Sequence, residues 1–179
     1  GGEPLLRRDI FEISKRAKAM GFYVGLSSNG TLINESNIEK IAEVGYDYVG
    51  VSLDGIRETH DTFRQKKGAF DESLHGIELC RQHGIKAGVR FTLTQDNSHE
   101  LPQLLDLVAE REIDKFYLSH LNYSGRGNRH RKHDVFHQTT RQALDLLFER
   151  CWSELQRGIV REYPAARADM RLTYDDFVR

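Results

Sequence analysis

Four short apolar runs alternate with helix-like segments along most of this chain, and that alternation constrains its fold more than any other feature. Phe22 to Ser28, Tyr48 to Leu53, Lys86 to Leu93 and Lys115 to Leu121 read as strands bounded by turn residues. Leu5 to Gly21, Glu35 to Val44, Ala69 to His83 and Glu100 to Arg111 read as helices. The first repeats Ile10, Ile13, Ala17 and Met20 at helical steps and stops at Gly21; the third is entered after Gly68 and closed by Gly84. Strands recurring roughly every 25 to 40 residues with a helix between them form βα units and a parallel sheet. Right-handed crossovers then leave two architectures, an open doubly wound sheet or part of a βα barrel.

Each strand ends in small or polar residues: Ser27-Ser28-Asn29-Gly30-Thr31, Ser52 with Asp54-Gly55, Thr92 with Thr94-Gln95, and Ser119-His120 with Asn122. Both architectures bind ligands outside the carboxyl ends of their strands, so a site is expected on this face. A single Asn-Gly or Asp-Gly pair is an ordinary turn; four polar strand ends together point to a ligand. After the fourth strand a long helix, Gln138 to Arg157, carries the stripe Leu144, Leu147, Phe148, Cys151 and Leu155, expected as a core face against the sheet. The tail beyond Gly158 has no clear period.

Composition excludes several function classes. The net charge of -1 over 179 residues gives no global pull toward nucleic acid. No apolar run approaches the ~20 residues of a membrane helix, so a soluble, cytoplasmic protein without membrane partners is expected. Two cysteines, Cys80 and Cys151, sit in helical stripes without metal-type spacing and are expected as buried thiols. They are too few to hold an iron-sulfur cluster through the usual three or four thiolates.

The chain opens on Gly1-Gly2-Glu3-Pro4. Two glycines let backbone approach a ligand closely, a carboxylate stands beside them, and proline stiffens the exit. Such a carboxylate suits an ammonium group; alone, the turn is a weak signal and reads equally as a connection into the first helix.

Taken with Ser27-Ser28-Asn29-Gly30-Thr31, Val51-Ser52-Leu53-Asp54-Gly55, His60-Asp61-x-x-Arg64 and Gly68-Ala69-Phe70, the opening turn resembles the successive landmarks of radical S-adenosylmethionine enzymes, particularly those with a C-terminal auxiliary-cluster domain. The resemblance implies an α/β fold, a partial βα barrel with parallel strands. It implies S-adenosylmethionine and a [4Fe-4S] cluster held by a Cys-x3-Cys-x2-Cys loop upstream of the Gly-Gly-Glu-Pro turn, with a possible auxiliary iron-sulfur cluster in a C-terminal domain. Gly1, Gly2, Glu3 and Pro4 would face the methionyl ammonium, Asn29 and Ser52 the ribose or carboxylate, Asp54 a further polar contact or a turn, and Arg64 the carboxylate. Arg64 reads equally as an exposed charge on a loop, and His60 and Asp61 mainly as loop structure. Because the cluster loop is not in this sequence, the chain is expected to be a piece truncated at both ends. Residues 1–158 would be the central portion of the barrel and 159–179 the start of a connection to a C-terminal domain.

The run Lys115 to Arg129 and the later Leu146 to Trp152 resemble, within that family, the radical enzymes of haem d1 biosynthesis. That implies removal of propionate side chains from a sirohaem-derived tetrapyrrole by a 5'-deoxyadenosyl radical, with an electron donor as partner. The alternative reading within the resemblance is a radical enzyme of the alternative haem route, which decarboxylates propionates or trims acetates. Arg126, Arg129 and Arg131, with His120 at the preceding strand end, are candidate contacts for a substrate with many carboxylates. The same basic segment reads as a solvated loop, and its glycines Gly125 and Gly127 as an anion nest for phosphate. A metal role for His130, His133 and His137 has no support in their spacing. Two other function classes remain open: a phosphate-binding βα barrel with acid-base chemistry by His120 or Glu3, and a non-enzymatic tetrapyrrole carrier.

Overall fold

The computed structural model describes residues 2–121, 132 and 134–156. Gly1–Asp134 and Val135–Arg179 form two units, and the first contains the sheet. After a short 3-10 turn at Pro4–Leu6, that unit runs α1 (Ile10–Ala19), β1 (Gly25–Ser28), α2 (Ile38–Val44), β2 (Tyr48–Ser52), α3 (Glu58–Arg64), α4 (Ala69–Gln82), β3 (Ala87–Leu93), α5 (Leu101–Glu110) and β4 (Lys115–His120). A second 3-10 turn at Ser98–Glu100 leads into α5.

The strands are parallel and lie in the order β1-β2-β3-β4. A doubly wound sheet reverses its strand order at a switch point. This one does not, so every right-handed crossover falls on the same side, and the unit is a wall of a βα barrel with one helix-covered face and one open face. The register shows which residues occupy each. Val49, Val51, Val89, Phe91 and Leu93 are fully buried on the covered face, where Phe91 stacks on Phe116 at 6.2 Å between centroids. The alternate positions form the open face: Ser27, Gly50, Gly88 and Lys115 along one row, Ser52, Arg90 and Tyr117 along the next, then Thr92 beside Ser119. Ser27, Arg90, Tyr117 and Ser119 are exposed there.

α4 packs on β2 and β3 at very short range. A Cβ on Gly76 would lie 2.8 Å from the Gly30 carbonyl oxygen, and one on Gly30 would lie 2.5 Å from Val51 Cγ1 and 3.0 Å from Ser73 Cα. Both glycines are the contact that seats this helix against the end of β1. At the opposite end of the sheet, Asp47 accepts from the Val24 amide and the Lys18 ammonium, each at 2.7 Å, joining α1 to β1.

Several elements differ from the sequence expectation. The predicted helix from Leu5 is interrupted at Arg7–Asp9, where the two side chains pair with each other, and α1 begins only at Ile10. α2 starts at Ile38 because Asn34 and Asn37 bond the local backbone, accepting from the Ser36 and Asn34 amides respectively. Residues 58–64, expected as loop, form α3. In the second unit α6 spans His137–Gln156; Leu144 and Cys151 of its expected core stripe are exposed, while Ala143 is buried. Cys80 is buried as expected, and Cys151 is not. Among the described residues, no helix is long and apolar enough to cross a membrane.

Candidate functional site

The carboxyl ends of β1 and β2 are drawn together by two carboxylates. Glu3, at the N-cap of the first 3-10 turn, accepts from the Leu5 amide at 3.2 Å, the Ser28 hydroxyl at 2.8 Å and the Asn29 amide at 2.7 Å. It thereby pins the opening turn to the end of β1. A carboxylate has about four acceptor positions, so one remains for a ligand donor. Asn29 folds its Oδ1 back onto the amide and hydroxyl of Thr31 at 2.9 and 3.0 Å. Gly30 follows in the left-handed region at φ 84°. Gly2 is exposed, and a Cβ placed on it would meet nothing within 4 Å, so this fold alone does not demand glycine there.

The second carboxylate, Asp54, is fully buried just beyond β2. Its Oδ1 accepts from the Thr92 amide at 2.8 Å and its Oδ2 from the Arg64 guanidinium. Its backbone is held as firmly: the amide donates to His60 Nδ1 at 2.9 Å, and the carbonyl accepts from Asn97 Nδ2 at 3.0 Å. Asn97 also donates to the Thr92 carbonyl and accepts from the Thr94 amide, so it stitches the ends of β2 and β3 together. Glu100 closes the same turn by accepting from the Ile56 amide and the Thr59 hydroxyl, each at 2.7 Å.

Burial sets the protonation of this cluster. It pushes the Asp54 carboxyl up, while Arg64 and the Thr92 amide pull it back. It lowers His60 to about 4, helped by the neighbouring guanidinium, so the imidazole is neutral at physiological pH. With Nδ1 accepting, Nε2 carries the proton, and it is buried with no partner among the described residues. Asp61 caps α4 by accepting from the Gly68 and Phe70 amides at 2.5 and 2.9 Å, and those bonds hold its carboxyl below the ordinary value.

Placed side by side, Gly2, Glu3 and Pro4 with Asn29 sit at the end of β1, and Ser52 stands half-buried on the open face one strand away. Asp54 and Arg64, given by the motif as cofactor contacts, pair with each other in the structure. They are joined to each other beneath that face, because α3 carries Arg64 to the buried Asp54 carboxylate. His60 and Asp61 are structural, as expected, but on a helix and at its cap. His120 pairs in register with Leu93, on the parity of the helix-covered face, whereas Ser119 and Tyr117 face the open side. Gly1, Arg126, Arg129 and Arg131 lie outside the described residues, as do His130 and His133.

Residues 1–108 match the Radical SAM superfamily. The chain belongs to the radical SAM superfamily. Among curated relatives of this radical SAM chain, it is 51% identical over 175 residues to a pre-heme d1 synthase of Dinoroseobacter shibae, covering 97% of this chain and 43% of that protein. It is 44% identical to an Fe-coproporphyrin III synthase of Methanosarcina barkeri, covering 90% of this chain and 41% of that one. It therefore spans less than half the length of these relatives. The fold agrees with solved radical SAM structures at about 20% identity: anSMEcpe with bound AdoMet and a peptide, TM-score 0.71, covering 89% of this chain and 47% of that one, and Streptococcus suis SuiB bound to S-adenosylmethionine, TM-score 0.68, covering 88% and 34%.

The radical SAM chain's own donors fit one of the groups its family uses and not the other. Glu3, Asn29 and Ser52 offer a carboxylate, an amide and a hydroxyl to an amino acid or a ribose at one end of the sheet. A cluster needs thiolates, and Cys80 and Cys151 are neither numerous enough nor placed in one unit. Among the described residues, no group of three His, Cys, Asp or Glu side chains is arranged to hold a metal ion.

Sequence reasoning missed Asn97, Glu100 and Arg90. Asn97 lies in Thr94-Gln95-Asp96-Asn97, a segment that reads as a plain turn, and Glu100 stands at the start of an expected helix; their partners are more than forty residues away, Ile56 for Glu100 and Asp54 for Asn97. Glu3→Gln provides a test of the site. Gln cannot accept on both sides, so a donor is turned toward either the Asn29 amide or the Ser28 hydroxyl. The expected result is a loss of about 1–3 kcal/mol in folding stability by chemical denaturation. An unchanged midpoint would mean that the Glu3 bonds do not form in solution.

Proposed function

We propose that this chain forms the cofactor-binding wall of a radical SAM enzyme of haem d1 biosynthesis, which removes propionate side chains from a sirohaem-derived tetrapyrrole. The observation that carries the reading is the carboxylate of Glu3 fixed at the end of β1, beside Asn29 and one strand from Ser52 on an open barrel face. The 51% identity to a pre-heme d1 synthase along 97% of the chain supports the choice of pathway.

Gly2 and Pro4 bring the backbone close to the methionyl end of S-adenosylmethionine, Glu3 accepts from its ammonium, and Asn29 and Ser52 bind its ribose or carboxylate. Room for a side chain at Gly2, left unused, supports a ligand approaching there. Asp54 and Arg64 act beneath them, keeping the ends of β2 and β3 in place. The cofactor, reduced by a [4Fe-4S] cluster whose thiolates come from outside this sequence, supplies a 5'-deoxyadenosyl radical. The protein positions cofactor and substrate and excludes water. His120 has the parity of the covered face, whereas Arg126, Arg129 and Arg131 belong to this proposal as substrate contacts. So do an electron donor as partner, a cytoplasmic setting and an auxiliary cluster in a C-terminal domain.

The Fe-coproporphyrin III synthase at 44% identity favours a second reading, propionate or acetate chemistry on a different tetrapyrrole. One experiment separates the two. A full-length protein carrying this chain is reconstituted anaerobically with iron and sulfide, then given S-adenosylmethionine, a strong reductant and each tetrapyrrole. Release of 5'-deoxyadenosine with loss of propionate mass from the sirohaem-derived substrate supports the first reading, and mass loss only from a coproporphyrin the second. No 5'-deoxyadenosine from protein with a full cluster content would overturn both.

A further inference from the structure

Arg90 projects from the middle of β3 onto the open face of the sheet, where it is exposed. Its Nη1 donates to Ser27 Oγ at 2.8 Å, two strands away. That reach crosses Gly50, the strand residue between them: a Cβ there would lie 2.8 Å from Arg90 Cδ. Glycine at 50 is thus what lets the guanidinium lie flat along the sheet toward β1. Among the described residues Arg90 has no carboxylate partner, whereas Arg64 and Lys18 each have one. On the other side of Gly50, the ring of Tyr48 would lie 2.9 Å from the same Cβ, and the buried Tyr48 hydroxyl has no hydrogen-bond partner among the described residues.

We infer that Arg90, steered by Ser27 across Gly50, is the carboxylate-binding residue of the open barrel face. A guanidinium held by one N–H keeps the rest of its planar fork for a ligand, and carboxylate matches that fork with two parallel hydrogen bonds. This deepens the tetrapyrrole proposal and rests on it for the identity of the ligand. Two carboxylates can reach an open barrel face, one on a substrate side chain and one on the methionyl end of S-adenosylmethionine. The chemistry is the same, and experiment tells them apart.

The test compares wild type, Arg90→Gln, Arg90→Lys and Ser27→Ala in the full-length protein. Equilibrium binding is measured separately for S-adenosylmethionine, coproporphyrin III and the tetramethyl ester of that porphyrin. Losing a charged, two-pronged contact weakens binding roughly ten- to hundredfold. The expected result is that loss in Arg90→Gln for the free-acid porphyrin, an unchanged affinity for the ester, partial retention in Arg90→Lys and a smaller loss in Ser27→Ala. The same pattern on S-adenosylmethionine alone assigns Arg90 to the cofactor's carboxylate. Wild type that binds S-adenosylmethionine but no porphyrin refutes the tetrapyrrole reading, and Arg90 is then judged on the cofactor alone. Affinities within twofold of wild type for every ligand that binds, in a variant with an unchanged melting temperature, overturn the inference.

Discussion

Replacing Arg64 by Met is expected to lower folding stability by about 3–5 kcal/mol, because it leaves a fully buried carboxylate with no counter-charge. Asp54 would keep the donors of Thr92, and neutral donors do not offset the cost of desolvating a charge. The variant also has a distinctive pH dependence. Burial already raises the Asp54 pKa against the pull of Arg64, and without the guanidinium the rise grows. The folded state then binds the proton more tightly than the unfolded chain, so stability falls as pH climbs above the unfolded carboxyl's ordinary value. Relative to wild type, the deficit is therefore largest at neutral pH and shrinks as pH falls through the variant's raised carboxyl pKa. Urea denaturation of both proteins across that range measures it. Arg64→Met combined with Asp54→Asn should recover part of the loss, since the charge is gone; a double variant as damaged as the sum of the singles would sink the ion-pair account.

The sequence made the four parallel strands legible because each is a short, dense apolar run between glycine-bearing turns. It also pointed to their carboxyl ends, where Glu3, Asn29 and Ser52 lie. What it hid follows from how those residues are held. α3 has a polar sequence, Glu58 to Arg64, with no apolar stripe, and begins after Arg57 at a positive φ of 42°. Its position comes from Asp54 and Glu100, which are remote in sequence and carry no periodic signal. The Arg64 pair with Asp54 was hidden because a motif names a residue type and not the partner beside it. Arg90 was invisible for a different reason. Strand β3 is covered on one face and shielded on much of the other, so Ala87 to Leu93 reads as one apolar run, and only the register reveals that its single charge stands on the open side. The expected apolar stripe of α6 assumed burial along its whole length, yet Leu144 and Cys151 face solvent.

Gly30→Ala should be nearly as damaging as loss of Arg64, for reasons of backbone and space rather than charge. The residue sits at φ 84°, where a Cβ costs roughly 1–2 kcal/mol. That Cβ would also stand 2.5 Å from Val51 Cγ1 and 3.0 Å from Ser73 Cα, and overpacking of this kind adds about 1–3 kcal/mol. Val51 is fully buried and Ser73 Cα belongs to the backbone of α4, so neither has a free direction in which to yield. Relief has to come from moving α4 off β2 or from shifting the end of β1. Either movement strains the Ser73 hydroxyl's bond to the Asn29 carbonyl at 2.7 Å and the Asn29 amide's bond to Glu3 at 2.7 Å. A combined loss of about 2–5 kcal/mol is therefore expected by thermal or urea denaturation, together with weaker S-adenosylmethionine binding in the full-length protein. Gly84→Ala separates the two causes. Gly84 also has a positive φ, 70°, but its Cβ would meet nothing within 4 Å. It should lose only the backbone share and leave cofactor affinity unchanged. Equal destabilisation by the two alanines would show that packing at the end of β1 has slack, and that the turn carrying Asn29 is not fixed by α4.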